Sequence, residues 1–61
     1  MIITLKDGSK REVKEGISVI ELAKEISEGL ARVATAGRVD GKVVDLRHNL
    51  NKDCNVEILT F

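Results

Sequence analysis

Gly16-Ile17-Ser18-Val19-Ile20-Glu21-Leu22 is the stretch that decides how this chain folds. Ser18, followed three residues later by Glu21 at the head of an apolar run, spells a capping box. The Ser18 hydroxyl accepts from the Glu21 amide, and the Glu21 carboxylate accepts from the Ser18 amide. Ile17 and Leu22 hold the two positions of a hydrophobic staple. A helix therefore starts at one defined residue and enters at one defined angle. Val19, Leu22, Ala23 and Ile26 continue from it at helical spacing as one apolar stripe. The pattern predicts a helix from about Val19 to Ser27, with Gly29 as a left-handed C-cap and Leu30 folding back over the last turn. Residues Leu30 to Ala34 add a short helical turn.

Before the helix, Met1 to Leu5 is apolar and β-branched, Lys6-Asp7-Gly8-Ser9 is a turn, and Lys10 to Lys14 alternates charge with Val13. These fourteen residues read as a β-hairpin, with Ile3, Leu5 and Val13 inward and Lys10, Glu12 and Lys14 toward water. After the helix, Thr35 to Asp40 and Lys42 to Asp45 form two strands joined at Asp40-Gly41, a strong hairpin signal. Gly37, inside the first of these, marks a bulge or a close backbone approach. Leu46 to Asp53 is an irregular polar connection anchored by Leu46 and Leu50, and Val56 to Thr60 closes the chain as a strand. The class is α+β: a mixed sheet with one main helix packed on one face, in the order ββαβββ. The last strand is expected to lie parallel to the first in the sheet centre, which is the β-grasp (ubiquitin-like) arrangement. A parallel pair needs a long crossover, and the helical segment supplies it.

Sixty-one residues make one domain, and a chain of this length buries only about 60% of its unfolded surface. Phe61 is the one aromatic residue, so the core must be aliphatic. Ten basic and ten acidic residues cancel, which argues against a dedicated nucleic-acid binder with a basic surplus. Cys54 stands alone and has no internal disulfide partner, as fits a reducing cytosol. No apolar run is long enough to span a membrane. Met1 runs directly into strand pattern, so no signal peptide is expected.

Residue chemistry points to no reaction. His48 and Cys54 are single copies, too few for a structural zinc site. They read as a solvated loop residue and a small, partly buried packing residue at a strand start. Glu21, Glu25 and Glu28 form a row on a helix surface, where general acid–base work has neither cleft nor separated pKa values. That row reads as a solvated or partner-docking face. Lys6, Lys10, Arg11 and Lys14 gather on the first hairpin, interleaved with Asp7, Glu12 and Glu15. With no aromatic to stack bases, they offer at most weak backbone contact to RNA. No Gly-x-x-x-x-Gly-Lys-Ser/Thr string exists to cradle a nucleotide. Catalytic, cofactor-binding and metal-binding residues are thus expected to be absent, and Lys10, Arg11 and Lys14 are the candidate RNA contacts.

Particular residues now resemble a known family, the TGS domain, a ubiquitin-like β-grasp module of threonyl-tRNA synthetases, certain GTPases and alarmone synthetases. Asp7-Gly8-Ser9 with Arg11 is similar to its first-hairpin signature. Ala23, Ile26-Ser27 and Gly29-Leu30-Ala31 resemble its I-S-x-G-L-A segment. Ala36-Gly37-Arg38-Val39, Gly41 and Val44-Asp45-Leu46 resemble its A-G-x-V-x-G-x-x-V-D-L run, and Asp53 with Val56 to Thr60 resembles its closing strand. Arg47-His48-Asn49 replaces the family's usual smaller polar loop, and Cys54 stands where a small residue is common. The resemblance covers residues 1–61 and is greatest to the N-terminal domain of threonyl-tRNA synthetase.

That resemblance implies a non-catalytic accessory or regulatory domain of a cytoplasmic class II synthetase. The parent would attach threonine to tRNA with ATP, magnesium and zinc bound outside residues 1–61. Implied partners are the parent's other domains and, weakly, tRNA; the domain alone is expected to be a monomer and the parent a homodimer. The alternative is a regulatory module of a GTPase or alarmone synthetase. A ubiquitin-like carrier is disfavoured, since Leu59-Thr60-Phe61 stands where a Gly-Gly tail would be adenylated.

Overall fold

The computed structural model describes residues 1–60; Phe61 lies outside the described residues, and with it the last position of the expected domain and of its bulky tail. Strands β1 (Ile2–Leu5) and β2 (Lys10–Glu12) form the first hairpin; helices α1 (Val19–Ile26) and α2 (Glu28–Val33) follow, then strands β3 (Ala34–Val39), β4 (Lys42–Val44) and β5 (Cys54–Thr60). The five strands make one sheet in the order β2-β1-β5-β3-β4. β5 lies in the middle, parallel to β1 and antiparallel to β3, as expected of the last strand.

α1 starts at the residue read from the sequence. Ser18 is extended; its Oγ accepts from the Glu21 amide at 3.2 Å, and Glu21 Oε1 accepts from the Ser18 amide at 3.1 Å and the Ser18 hydroxyl at 2.9 Å. Ile17 and Leu22, the staple residues, are both fully buried. The loop before β5 completes the helix start. Val19 N–H donates to the His48 carbonyl at 3.0 Å and Ile20 N–H to the Leu46 carbonyl at 2.9 Å. The amides that a helix leaves orphaned at its first turn are all engaged here by loop carbonyls and by Ser18.

These bonds make two predictions. Ser18→Ala is expected to lower stability by about 0.5–2 kcal/mol, the usual cost of a lost cap, read as a shift of the urea midpoint at unchanged slope. Glu21 also carries an acid dependence. The bonds from the Ser18 amide and hydroxyl, helped by Lys14 and Lys24, hold its carboxyl below the ordinary value of 4.5. A carboxylate depressed in the folded state stabilises above its unfolded pKa, and that contribution vanishes as pH falls through the folded value. Stability measured downward from about pH 5 should therefore fall less in Glu21→Gln than in the parent chain; equal slopes would contradict this role.

The helix end differs from expectation. Gly29 is not a left-handed C-cap, and the order is ββααβββ. Ser27, extended at φ −170°, ends α1 by donating its amide to the Ala23 carbonyl at 2.9 Å. It also begins α2 by accepting at Oγ from the Leu30 amide at 3.4 Å. A serine side chain caps a helix start well, so the stop at Ser27 is also a start, and Gly29 falls inside α2. Glu28 then lies beyond the break, and the expected row of Glu21, Glu25 and Glu28 is not one continuous face.

The sheet places the core as expected, with Ile3, Val13, Ile17, Val19, Leu22, Leu50 and Val56 in one buried cluster. Asp40 (φ 49°) and Gly41 (φ 87°) turn β3 into β4, both in the left-handed region that a tight hairpin turn demands. The bulge in β3 sits at Thr35, between the pairs Ala34↔Thr60 and Ala36↔Leu59, and not at Gly37. Gly37 instead marks the close approach: a Cβ there would lie 2.7 Å from Val19 Cγ1. β5 begins two residues earlier than the apolar run suggests. Asp40 fixes that start, its amide donating to the Asn55 carbonyl at 2.8 Å and its carboxylate accepting from the Asn55 amide at 2.9 Å.

Candidate functional site

The basic residues of the first hairpin do not converge. Side chains alternate faces along a strand, so on β2 Lys10 and Glu12 point away from the helices while Arg11 points toward them with Ile3. Arg11 is drawn to the helix layer, where Nη2 donates to the Glu25 carbonyl at 3.2 Å. A guanidinium at the last turn of α1 meets the negative end of the helix dipole and one of its orphaned carbonyls. Its first role is therefore structural. Lys14 lies past the end of β2, near enough to Glu21 to help hold that carboxyl in its charged form. Lys10 is exposed on the outer face of the edge strand. Of Lys10, Arg11 and Lys14, two remain open to a phosphate and one is engaged.

Lys6 turns to the sheet. Its Nζ lies 3.3 Å from Glu57 Oε2, and Arg38 Nη1 reaches Glu57 Oε1 at 3.2 Å, giving a three-residue charge ladder on the outer face. Such exposed pairs contribute about 0–1 kcal/mol each, so the ladder adds little to stability. In sequence Lys6 groups with the basic hairpin, because Glu57 lies fifty-one positions away along the chain.

His48 and Cys54 lie closer in space than the sequence suggested, both lining a shallow depression with Leu50 and Lys52. Burial and the nearby Asp40 carboxylate push the Cys54 thiol up from its ordinary pKa. A thiol so shifted is a poor nucleophile, since the thiolate is the reactive form. His48 is exposed, and its backbone carbonyl is committed to the Val19 amide. Among the described residues no group of three or more His, Cys, Asp or Glu gathers to hold a metal ion. No helix among them is long and apolar enough to cross a membrane.

One feature of the surface had no signal in the sequence. Beyond the end of β1, Leu5, Ile26, Leu30 and Ile58 line an open, largely apolar groove between the helices and β5. Lys6, Asp7 and Glu57 border the same groove, and the Glu57 carboxylate there is paired with Lys6 and Arg38.

The family model described as TGS domain matches residues 1–60. The chain is 59% identical to a threonine–tRNA ligase of Desulforamulus reducens and 59% identical to one of Acetivibrio thermocellus, over 97% of this chain and 9% of each relative. It is 52% identical to a threonine–tRNA ligase of Caldanaerobacter subterraneus over 100% of this chain and 10% of the relative. The chain thus spans about a tenth of the length of the curated relatives it matches.

Proposed function

The chain belongs to the TGS domain family, and from that membership we propose that it serves as a non-catalytic accessory domain, spanning residues 1–61, at the N-terminus of a threonine–tRNA ligase. The observation that carries this reading is the near-complete overlap with such ligases across this chain against only 9–10% of their length. ATP, magnesium and zinc would act in the rest of that polypeptide, which would charge tRNA with threonine as a cytoplasmic homodimer. What this chain supplies is a stapled helix, a sheet and an apolar groove with which to contact neighbouring domains. Reading the polypeptide beyond residue 61 tests the proposal: class II synthetase sequence is expected there, and a GTPase or alarmone-synthetase sequence joined to the domain would replace it.

Contact with tRNA is the second part of the proposal, and it rests on Lys10 and Lys14, the hairpin cations left open. Titrating isotope-labelled domain with tRNA should move amides around these two residues and leave Arg11, held on α1, nearly still. Two phosphate contacts imply a log–log salt slope no steeper than about −2. Shifts absent at low salt, or spread evenly over the surface, would remove RNA from the account.

A further inference from the structure

β1 ends at Leu5, opposite Val56, whereas β5 runs on to Thr60. On its other side β5 remains paired with β3 as far as Ala34↔Thr60. The direction of each β5 backbone group follows from the bond between the Asp40 amide, just past β3, and the Asn55 carbonyl. Backbone groups alternate sides along a strand, so Asn55, Glu57 and Leu59 turn theirs toward β3. The 3.3 Å bond from Thr35 Oγ1 to the Leu59 carbonyl agrees. Ile58 and Thr60 therefore turn their N–H and C=O groups to the side that β1 has left. Among the described residues no strand pairs with that edge beyond Val56.

The groove lies along this edge. Leu5 stands at its near end, Thr60 at its far end, and Ile26 and Leu30 wall it on the helix side. The outer edges of the sheet are built differently. β2 and β4 are three residues long and carry Lys10 and Lys42, features that blunt an exposed edge against further pairing. Ile58-Leu59-Thr60 has no charge, proline or bulge to blunt it.

We propose that this edge is a strand-addition site, filled by an extended segment of the same polypeptide from beyond residue 61 that takes the place β1 vacates and seats an apolar side chain against Leu5, Ile26 and Leu30. This rests on the reading of the chain as one domain of a larger synthetase. The curated relatives are about ten times longer than this chain, and β5 delivers the chain at the groove itself. A tethered segment binds at high effective concentration, so a short strand suffices. Main-chain bonds to Ile58 and Thr60 supply the affinity, and the groove supplies side-chain selection.

Residue-resolved amide exchange on the full-length polypeptide tests this, with an internal control. Glu57 and Leu59 report the β3–β5 ladder, and Ile58 and Thr60 report the added strand. All four amides are expected to exchange within about tenfold of one another. Free exchange at Ile58 and Thr60, with Glu57 and Leu59 protected, overturns the proposal. So does protection that rises with protein concentration, because the occupant would then be a second copy. Leu30→Asp in the same polypeptide should speed Ile58 and Thr60 by at least about tenfold and leave Glu57 and Leu59 unchanged; an unaffected Ile58 would sink the groove's part in it. If some other protein follows residue 61, the synthetase reading fails by itself, and the four amides still report whether the edge is filled.

Discussion

Leu22→Ala is expected to cost about 2–5 kcal/mol, enough to leave a 61-residue domain largely unfolded at room temperature. Leu22 is fully buried and belongs to the single core cluster with Ile3, Ile17, Val19, Leu50 and Val56. It is also the inner half of the staple with Ile17, so its removal opens a cavity where α1 is pinned to the chain entering it. A domain this small has no second core to share the loss. Thermal or urea unfolding followed by circular dichroism measures the effect. A midpoint within a few degrees of the parent chain would mean that the core closes around the missing atoms. Ala23, next in sequence and equally buried, is the natural contrast, because only one carbon is there to lose.

Gly37→Ala is the second large effect, and its sign comes from crowding. The backbone at Gly37 needs no positive φ, so alanine meets no conformational penalty there and gains about 0.4–1 kcal/mol through the unfolded state. Against that gain, the new Cβ would sit 2.7 Å from Val19 Cγ1 and 3.1 Å from Cγ2. Val19 cannot retreat: it is fully buried, its amide is tied to the His48 carbonyl, and a helical valine holds essentially one χ1 rotamer. Either β3 and α1 separate or the valine leaves its rotamer, and overpacking of this kind costs about 1–3 kcal/mol. Crowding outweighs the entropy gain, so net destabilisation is expected. The cause is separable in a double-mutant cycle with Val19→Ala. In that background Gly37→Ala should cost less than about 0.5 kcal/mol. Equal costs in the two backgrounds would show that β3 suffers for another reason.

The two substitutions differ in how visible they are from sequence. Leu22 was legible as core, since the capping box set the helix start and the 3.6-residue period did the rest. Gly37 was legible only as an anomaly in a strand, with bulge and close approach left as alternatives. The bulge lies at Thr35, and the approach is to Val19, eighteen positions away. The cap expected at Gly29 failed for a local reason: Ser27 competes for the same backbone groups, and its hydroxyl, accepting from the Leu30 amide, opens α2 instead. The hairpin cations looked like one patch because they are near neighbours in sequence. Strand alternation split Lys10 from Arg11, and the exposed end of α1 claimed Arg11.

By itself the sequence determined the elements whose signals are local. These are the capped start of α1, the two hairpin turns, the apolar stripe, and the family motifs carried on them. Each rests on residues within a few positions of one another, where side chain and backbone meet whatever the rest of the chain does. Tertiary structure alone decided what depends on lengths and partners from distant parts of the chain. It set how far β5 outruns β1, which way Ile58 and Thr60 turn, and that Leu5, Ile26 and Leu30 come to border one groove. A strand's free edge is a difference between two registers, and no window on either strand contains it.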